Sequence, residues 1–286
     1  MYSHRDETVI QRTLLRKAVL KICLAQLEVG PSKDANLRRV LSIIEGLEPG
    51  TRLVVFPEYS MGYPKEGLTP DYVLEASEGL DGNFVGQVAK LSGRKHLGVV
   101  LPIFERGRNR VYNTAVVMVD GRVLGGYRKS KLFDALGYKE SDVFGTGSEL
   151  VVFELGGLRF GIVICYDVRF PELAKREAMA GAEVVLVPSA WYRGEMKEEQ
   201  WQTLLMARAH EDTCYVVGVG NANPAFIGRS IVVTPFGIKA LDLGTGERVS
   251  YFELDLKAVR DARKKLPVLR QSDKVSPPCR LLNERL

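Results

Sequence analysis

The chain has 286 residues, of which 45% are hydrophobic and 26% are charged, with a formal net charge of +5. This composition is that of an ordinary globular protein, not of a disordered or fibrous one, and the length suits one large domain better than two small ones. Basic and acidic residues are interleaved along the chain, so the positive charge does not indicate a surface that binds nucleic acid.

Apolar runs rich in Val, Ile and Leu alternate with amphipathic stretches. In chain order, the predicted strands cover residues 19–29, 52–58, 97–104, 158–167, 183–190 and 214–220, and the predicted helices cover residues 34–47, 83–94, 171–180 and 197–212. Several runs are continuously apolar, which is typical of strands that are covered on both faces. Hairpin-like stretches at 116–127, 151–164 and 230–254 add antiparallel strands. We therefore predict an α/β protein with mixed sheets, which fits a simple Rossmann or TIM-barrel topology poorly.

We expect a single domain over residues 18–271, with a polar extension at 1–17 and a polar tail at 272–286 that are disordered or lie on a partner subunit. The first residues carry charges ahead of any apolar stretch, unlike a secretory signal, and no apolar run approaches the roughly 20 residues of a membrane-spanning helix. Four cysteines are spread along the chain without a CxxC pair, which favours free thiols in a reducing compartment. We expect a cytoplasmic protein with no membrane partner.

The segment GIVICYDVRFPEL, residues 161–173, places Cys165 after an apolar strand and just before a helix that Pro171 opens. At such a turn, backbone N–H groups and the positive end of the helix dipole favour a thiolate nucleophile. The alternative is a buried structural cysteine, since free Cys is among the most buried residue types.

A thiol nucleophile normally needs a base, and the usual base is histidine. The chain has three histidines, His4, His96 and His210. They stand in a polar extension, in a basic turn and among charges on a predicted helix, and none has the signature of a catalytic site. The sequence therefore does not favour a Cys-His pair.

Glu58 comes directly after the buried run RLVVFP. An acid at the edge of a core is costly unless it is paired or used, and functional groups gather at the carboxyl ends of strands in α/β sheets. A solvated loop glutamate is the alternative.

The stretch GGYRKSKLFD, residues 125–134, brings Arg128, Lys129 and Lys131 to the end of a hairpin strand, ahead of a loop that contains Glu140. Taken alone, a basic strand end is usually a solvated edge that prevents aggregation. Its meaning depends on the other two segments.

Together the three segments resemble the nitrilase superfamily, the carbon-nitrogen hydrolases. That family has a Glu after a strand and a Pro, a Lys in a Tyr-Arg-Lys stretch, and a Cys in a Cys-Tyr-Asp-x-Arg-Phe stretch, and this chain matches them in order at Glu58, Lys129 and Cys165. The similarity runs from about residue 18 to 272 and includes the segments PSAW, MARAHEDTCYVV and GRSIVVTPFG.

The resemblance implies that Glu58, Lys129 and Cys165 form a catalytic triad and that Glu140 is a second glutamate near the site. The sequence around Cys165 is similar to that of the Nit-type branch, which contains ω-amidases and amidases of deaminated glutathione. One position departs from the pattern, because Lys131 stands where many members have His two residues after the catalytic Lys.

The fold implied by the resemblance is an α-β-β-α sandwich with two mixed sheets, which a homodimer or higher homo-oligomer extends through helical faces. The implied activity is hydrolysis of a non-peptide carbon-nitrogen bond in a small amide through a Cys thioester, with release of ammonia and without a metal or organic cofactor. Hydrolysis of an N-carbamoyl compound and a non-catalytic binding role on this fold are the alternatives.

Further residues complete the predicted site. The backbone N–H of Tyr166 is expected to join Lys129 in binding the oxyanion. Arg169, one turn into the following helix, is placed to bind a substrate carboxylate through two hydrogen bonds, although pairing with Glu172 is the alternative. Trp191 and Tyr192 are expected to form a wall of the pocket, and a role as ordinary packing aromatics is the alternative. We therefore expect a substrate with an acid group.

Overall fold

The computed structural model describes residues 19–272, and within them the chain forms twelve strands and seven α-helices. The strands are β1 (Val19–Gln26), β2 (Thr51–Val55), β3 (Gly98–Arg106), β4 (Val111–Val119), β5 (Arg122–Arg128), β6 (Val152–Leu155), β7 (Leu158–Ile162), β8 (Val184–Ser189), β9 (Tyr215–Gly220), β10 (Ile231–Val233), β11 (Lys239–Asp242) and β12 (Arg248–Asp255). The α-helices are α1 (Lys33–Glu45), α2 (Pro70–Ala76), α3 (Asn83–Lys95), α4 (Pro171–Met179), α5 (Lys197–Asp212), α6 (Leu256–Lys265) and α7 (Val268–Ser272). Two short 3₁₀-helices cover Glu140–Asp142 and Cys165–Arg169.

The predicted extension at 1–17 lies outside the described residues, as do His4 and Cys279. The predicted tail begins at Ser272, which is the last residue of α7, and the rest of it also lies outside the described residues.

The strands form two six-stranded mixed sheets. The first sheet has the order β12-β1-β2-β3-β4-β5, and the second has the order β11-β10-β9-β8-β7-β6. The pairs β1–β2 and β2–β3 are parallel in the first sheet, as are β7–β8 and β8–β9 in the second, and the outer pairs are antiparallel. The predicted mixture of parallel and antiparallel strands is confirmed.

The alternation of side chains along β1 shows how the layers stack. Ile22 and Leu24 belong to an apolar cluster that contains residues of both sheets, whereas Cys23 and Ala25 belong to a second cluster with residues of α1 and α3. Because successive side chains of a strand point to opposite faces, a strand covered on both sides needs a continuous apolar run. Helices α4 and α5 pack on the second sheet, so the layers are α-β-β-α as expected. No helix within residues 19–272 is long and apolar enough to cross a membrane.

Three predicted boundaries are wrong. The strand predicted at 158–167 ends at Ile162, because Cys165 has a φ of 48°, which a strand does not allow. The strand predicted at 52–58 ends at Val55. The stretch 230–254 is not one hairpin region, since β10 pairs with β11 in the second sheet while β12 crosses to pair with β1 in the first.

The sequence prediction also omits α2, α6 and α7. Helix α6 has a clear start, because Asp255 accepts a hydrogen bond of 2.8 Å from the backbone N–H of Lys257. Its buried residues are spaced three apart at Leu256, Val259 and Ala262, and charged residues surround them. This spacing is visible in the sequence, so α6 was predictable from local pattern.

Candidate active site

Polar side chains converge beyond the ends of β2, β5 and β7. Glu58 follows β2, Lys129 follows β5 and Cys165 follows β7, and together with Glu140 they line one cavity of about 140 Å³. A cavity of about 150 Å³ holds a benzene-sized molecule, so this one has room for a small organic ligand. The four side chains that the sequence predicts to be catalytic are therefore neighbours in space.

Lys129 is the centre of this cluster. Its Nζ lies 2.9 Å from Glu58 Oε1 and 2.8 Å from Glu140 Oε2, and the residue is only 1% exposed. Burial by itself lowers the pKa of a lysine, but here the charges of Glu140 and Glu58 outweigh it and raise the pKa well above its ordinary value. Lys129 therefore remains a cation at neutral pH.

Glu58 is fixed at both oxygens. Besides the contact with Lys129, its Oε1 accepts a hydrogen bond of 2.8 Å from Asn113 Nδ2, and its Oε2 accepts one of 2.7 Å from the backbone N–H of Ala190. The side chain of Asn221 donates to the backbone oxygen of Glu58 at 3.1 Å. The carboxylate of Glu58 is thus held in one orientation by groups from β4 and from the ends of β8 and β9.

Glu140 is held in a similar way. Its Oε2 accepts a hydrogen bond of 2.6 Å from the backbone N–H of Phe133, and its Oε1 accepts one of 3.2 Å from the hydroxyl of Tyr59. Burial raises the pKa of Tyr59 well above its usual value, with Glu140 adding to the effect, so the hydroxyl keeps its proton and donates. These contacts leave Glu140 facing Lys129.

Cys165 lies buried beside Glu58 and Lys129. The residue is 7% exposed, and burial raises the pKa of the thiol above its ordinary value; the negative charge of Glu58 raises it further, against the opposing charge of Lys129. The turn at Cys165 is a 3₁₀-helix of five residues that ends at Arg169, and α4 begins only at Pro171, so neither Cys165 nor Arg169 lies in α4. A base is needed, and Glu58 is the adjacent one.

Asp167 fixes the turn that carries Cys165. Its Oδ2 accepts hydrogen bonds of 2.9 Å from the backbone N–H of Ile164 and from the hydroxyl of Tyr127, and its Oδ1 accepts one of 2.7 Å from the backbone N–H of Lys131. Burial raises the pKa of Asp167 to about 6. Sequence reasoning missed this residue, although an acid in an otherwise apolar run was a visible signal.

The other basic candidates lie away from the cavity. The ammonium of Lys131 lies 5.2 Å from the centre of the Phe170 ring, and Lys131 does not line the cavity. His96 is exposed at the end of α3, and His210 lies in α5; neither lines the cavity.

Tyr166, Arg169 and Trp191 all line the cavity, as the sequence predicts. The guanidinium of Arg169 lies 4.6 Å from the centre of the Trp191 ring, and its Nη2 donates to Gln200 Oε1 at 2.8 Å. Within the described part of the chain, Arg169 forms no ion pair with Glu172, which was the alternative. Its charge faces the cavity without a carboxylate partner.

Sequence reasoning missed several cavity residues. Tyr138 stacks on Tyr192, a residue that the sequence does predict for the wall, at 4.2 Å between ring centres, and the ring of Phe133 lies 6.0 Å from that of Tyr192. Lys197, at the start of α5, also lines the cavity. Asn113 was detectable as an amide inside an apolar strand, whereas Tyr138 and Phe133 had no local signal.

No group of three or more His, Cys, Asp or Glu side chains suited to a metal ion occurs among residues 19–272.

Comparison with known proteins gives a consistent result. The family model described as carbon-nitrogen hydrolase matches residues 21–264. The chain is 33% identical over 236 residues to the deaminated glutathione amidase of Escherichia coli O157:H7, covering 82% of this chain and 89% of that protein. It is 31% identical over 266 residues to omega-amidase NIT2-A of Xenopus laevis, covering 89% of this chain and 95% of that protein.

Solved structures match as well. Nit3 of Saccharomyces cerevisiae, a member of branch 10 of the nitrilase superfamily, has 29% identity and a TM-score of 0.78, with 90% of this chain and 97% of that chain covered. A superfamily protein of Xanthomonas campestris has 23% identity and a TM-score of 0.80, with 91% and 99% covered, and this second likeness concerns the fold alone.

Proposed function

The chain belongs to the carbon-nitrogen hydrolase family, and from this premise we propose that it hydrolyses the amide of a small, carboxylate-bearing molecule and releases ammonia. One observation carries the proposal: Glu58, Lys129 and Cys165, with Glu140 behind them, line a single cavity in which the thiol has a carboxylate as its neighbour. The cavity supplies a nucleophile, a base and a fixed cation without histidine.

In the first step, Glu58 accepts the proton of the Cys165 thiol as the sulfur attacks the amide carbon. The raised pKa of Cys165 makes this base necessary, since little thiolate exists beforehand. The attack forms a C–S bond and places negative charge on the former carbonyl oxygen.

That negative charge is stabilised by Lys129 and by the backbone N–H of Tyr166. Donors already in position act strongly in a site that excludes water, and losing one typically costs on the order of a hundredfold or more in rate. Glu140 acts through Lys129, which it holds at 2.8 Å.

The intermediate collapses when Glu58 returns its proton to the leaving nitrogen, so that the C–N bond breaks and ammonia departs. A thioester on Cys165 remains. Water then gives one proton to Glu58 and attacks the thioester, which releases the acid product and restores the thiol of Cys165 with that proton.

An acid group on the substrate is supported by Arg169, which faces the cavity, packs on Trp191 and has no carboxylate partner among residues 19–272. A guanidinium presents two parallel donors to a carboxylate. The names of the relatives, deaminated glutathione amidase and omega-amidase, point to the same substrate class.

The test is a screen of amides, nitriles and N-carbamoyl compounds for ammonia release, with Cys165→Ala as the blank. We expect monoamides of dicarboxylic acids, such as succinamate and glutaramate, to release ammonia with the native protein and not with the folded Cys165→Ala protein. Release of carbon dioxide together with ammonia would show that the protein is an N-carbamoyl hydrolase and not an amidase. A Cys165→Ala protein that retained activity would refute the proposed nucleophile, and binding without turnover of any compound would favour a non-catalytic role.

We further propose a cytoplasmic homo-oligomer. Met206, Phe236 and Ile238 are partly exposed, and the turn at Gly237 lies against Met206 and His210 of α5. An apolar surface of this kind on a helical face suits a second copy of the chain. Light scattering should give at least a dimer mass, and Met206→Glu with Ile238→Glu should lower it.

We also propose that residues 18–271 form one domain, because β12, near the end of this range, pairs with β1 at its beginning. Limited proteolysis should then leave a single resistant fragment of about this length, whereas two stable fragments would contradict the proposal.

A further inference from the structure

Two cations face the cavity without a carboxylate partner within the described residues. One is Arg169, whose guanidinium hydrogen-bonds only to the neutral side chain of Gln200. The other is Lys197, whose ammonium lies 6.0 Å from the centre of the Phe133 ring and which appears in none of the ion pairs among residues 19–272. The proposed mechanism uses Arg169 but gives Lys197 no role.

The position of Lys197 is unfavourable for an ordinary surface lysine. It is the first residue of α5, a helix of 16 residues, where the helix dipole favours negative charge and opposes positive charge. Partial burial lowers the pKa of Lys197, and the neighbouring charge of Arg169 lowers it further. Burial, the dipole and a like charge therefore all act against this ammonium, and an anion in the cavity would relieve each of them.

The remaining charged residues of the cavity do not pair with these two cations: Glu66 also lines the cavity but forms no ion pair with Arg169 or Lys197 among residues 19–272, and the other carboxylates are already paired. Lys129 is paired with both Glu58 and Glu140, and Lys139 is paired with Asp142 at 2.8 Å. These pairs use carboxylates of the protein itself, which leaves Arg169 and Lys197 for a charge brought by the ligand.

Trp191 links the two cations. Its ring packs against the guanidinium of Arg169, while its Nε1 donates a hydrogen bond of 3.0 Å to the backbone oxygen of Lys197. The indole is 4% exposed, so it is a fixed support between the 3₁₀-helix that ends at Arg169 and the start of α5.

We propose that Lys197 is a specificity-determining residue that binds, together with Arg169, the carboxylate at the end of the substrate remote from the amide. Arg169 supplies a planar pair of donors, and Lys197 supplies a compact second charge. The inference rests on the proposed amidase function and narrows it to ω-amides of dicarboxylic acids, molecules with an amide at one end for Cys165 and an acid at the other for the two cations.

The first test compares glutaramate with hexanamide, which has a neutral ethyl group in place of the carboxylate. Lys197→Met keeps the length of the side chain without its charge, and Lys197→Arg keeps the charge. We expect Lys197→Met to lower the ratio of kcat/KM for glutaramate to kcat/KM for hexanamide by about tenfold, mainly through a higher KM for glutaramate. Lys197→Arg should restore most of the ratio.

The matched control is Glu66→Gln, which changes a charge at another residue that lines the same cavity. In this variant the ratio of kcat/KM for glutaramate to kcat/KM for hexanamide should not fall. An unchanged ratio in Lys197→Met, or an equal fall in Glu66→Gln, would overturn the inference while leaving the amidase proposal standing.

A second test does not depend on turnover. Glutarate is titrated by calorimetry into Cys165→Ala and into Cys165→Ala with Lys197→Met, and the second protein should bind it about tenfold more weakly. If glutarate binding requires Lys197 but the native protein hydrolyses no amide, the carboxylate subsite is supported and the proposed amidase reaction is refuted. Equal affinities, or no binding to either protein, would overturn the subsite.

Discussion

The carboxylate of Asp167 accepts a hydrogen bond of 2.7 Å from the backbone N–H of Lys131, two residues beyond Lys129. Its other oxygen accepts one of 2.9 Å from the backbone N–H of Ile164, the residue before Cys165. A single buried side chain therefore sets the spacing between the segment that carries the cation and the turn that carries the nucleophile.

We expect Asp167→Asn to lower kcat by about ten- to a hundredfold while KM changes by less than a few-fold. Asparagine has one acceptor oxygen, so one of the two backbone contacts is lost, and a shift of about 1 Å in a reacting group can cost on the order of a hundredfold. Steady-state kinetics with glutaramate measure how far the substitution changes kcat and how far it changes KM. Tyr127→Phe, which removes one donor to Asp167 and leaves both backbone contacts of that carboxylate, is the milder control. An unaltered kcat in a folded Asp167→Asn protein would count against this role.

Lys129→Met should destabilise the protein by on the order of 3 to 5 kcal/mol, because it leaves Glu58 and Glu140 buried without their counter-charge. Adding Glu140→Gln removes one of those charges, so the double variant should recover part of the lost free energy of unfolding. Urea unfolding at pH 7 gives the free energy of unfolding of the native protein, the single variant and the double variant. If the second substitution lowered stability further by its full independent cost, the two residues would not be coupled.

Glu58→Gln should make Cys165 more reactive while it abolishes catalysis. The negative charge of Glu58 raises the pKa of the thiol and the charge of Lys129 lowers it, so removing the carboxylate increases the thiolate fraction. We expect faster labelling of Cys165 by iodoacetamide at pH 8 and a fall of at least a hundredfold in ammonia release. Mass spectrometry gives the labelling rate, and the buried Cys23 and Cys214 in the same digest serve as internal references. Slower labelling in the variant would contradict the assigned electrostatics.

Asp212 should make stability depend on pH in the direction opposite to a surface acid. It is 1% exposed, and burial raises its pKa from 3.8 to about 6 in spite of Lys175 at 3.5 Å. The folded state therefore binds more protons between about pH 4 and 6, so the contribution of Asp212 is present at low pH and is lost as the pH rises through 6.

The difference in unfolding free energy between the native protein and Asp212→Asn should accordingly fall by on the order of 3 kcal/mol from pH 4 to pH 7. Urea unfolding at several pH values tests this. Asp261→Asn is the control, because Lys257 shifts the pKa of Asp261 in the opposite direction, below its ordinary value. A constant difference for Asp212→Asn would show that its carboxyl is not perturbed.

Local pattern was sufficient for elements whose period is strong. Helix α5 begins and ends where the sequence predicts it, at Lys197 and Asp212, and its buried residues recur at helical spacing from Trp201 through Leu205 to Ala209. Glu58 and Cys165 were found for a related reason, since each follows an apolar strand whose end is plain in the sequence.

Properties that depend on distant partners were not predictable in this way. The pairing of β12 with β1 joins residues more than 200 positions apart, and the sequence of neither strand indicates which strand it pairs with. The raised pKa of Cys165 was not predictable from its turn alone, because it depends on burial and on Glu58, which comes from the other sheet. In the sequence, Lys197 looks like a solvated residue of a helix, and only the fold shows that it lines the same cavity as Arg169.

The crossing of β12 has a consequence for the order of events during synthesis. The first sheet cannot be completed until the ribosome has released Asp255, and until then the edge of β1 has no partner on that side. Glu58 and Lys129 are carried by this sheet. The nascent chain therefore exposes an unpaired strand until β12 has left the ribosome, a state that favours chaperone binding, and hydrolytic competence cannot arise before that point.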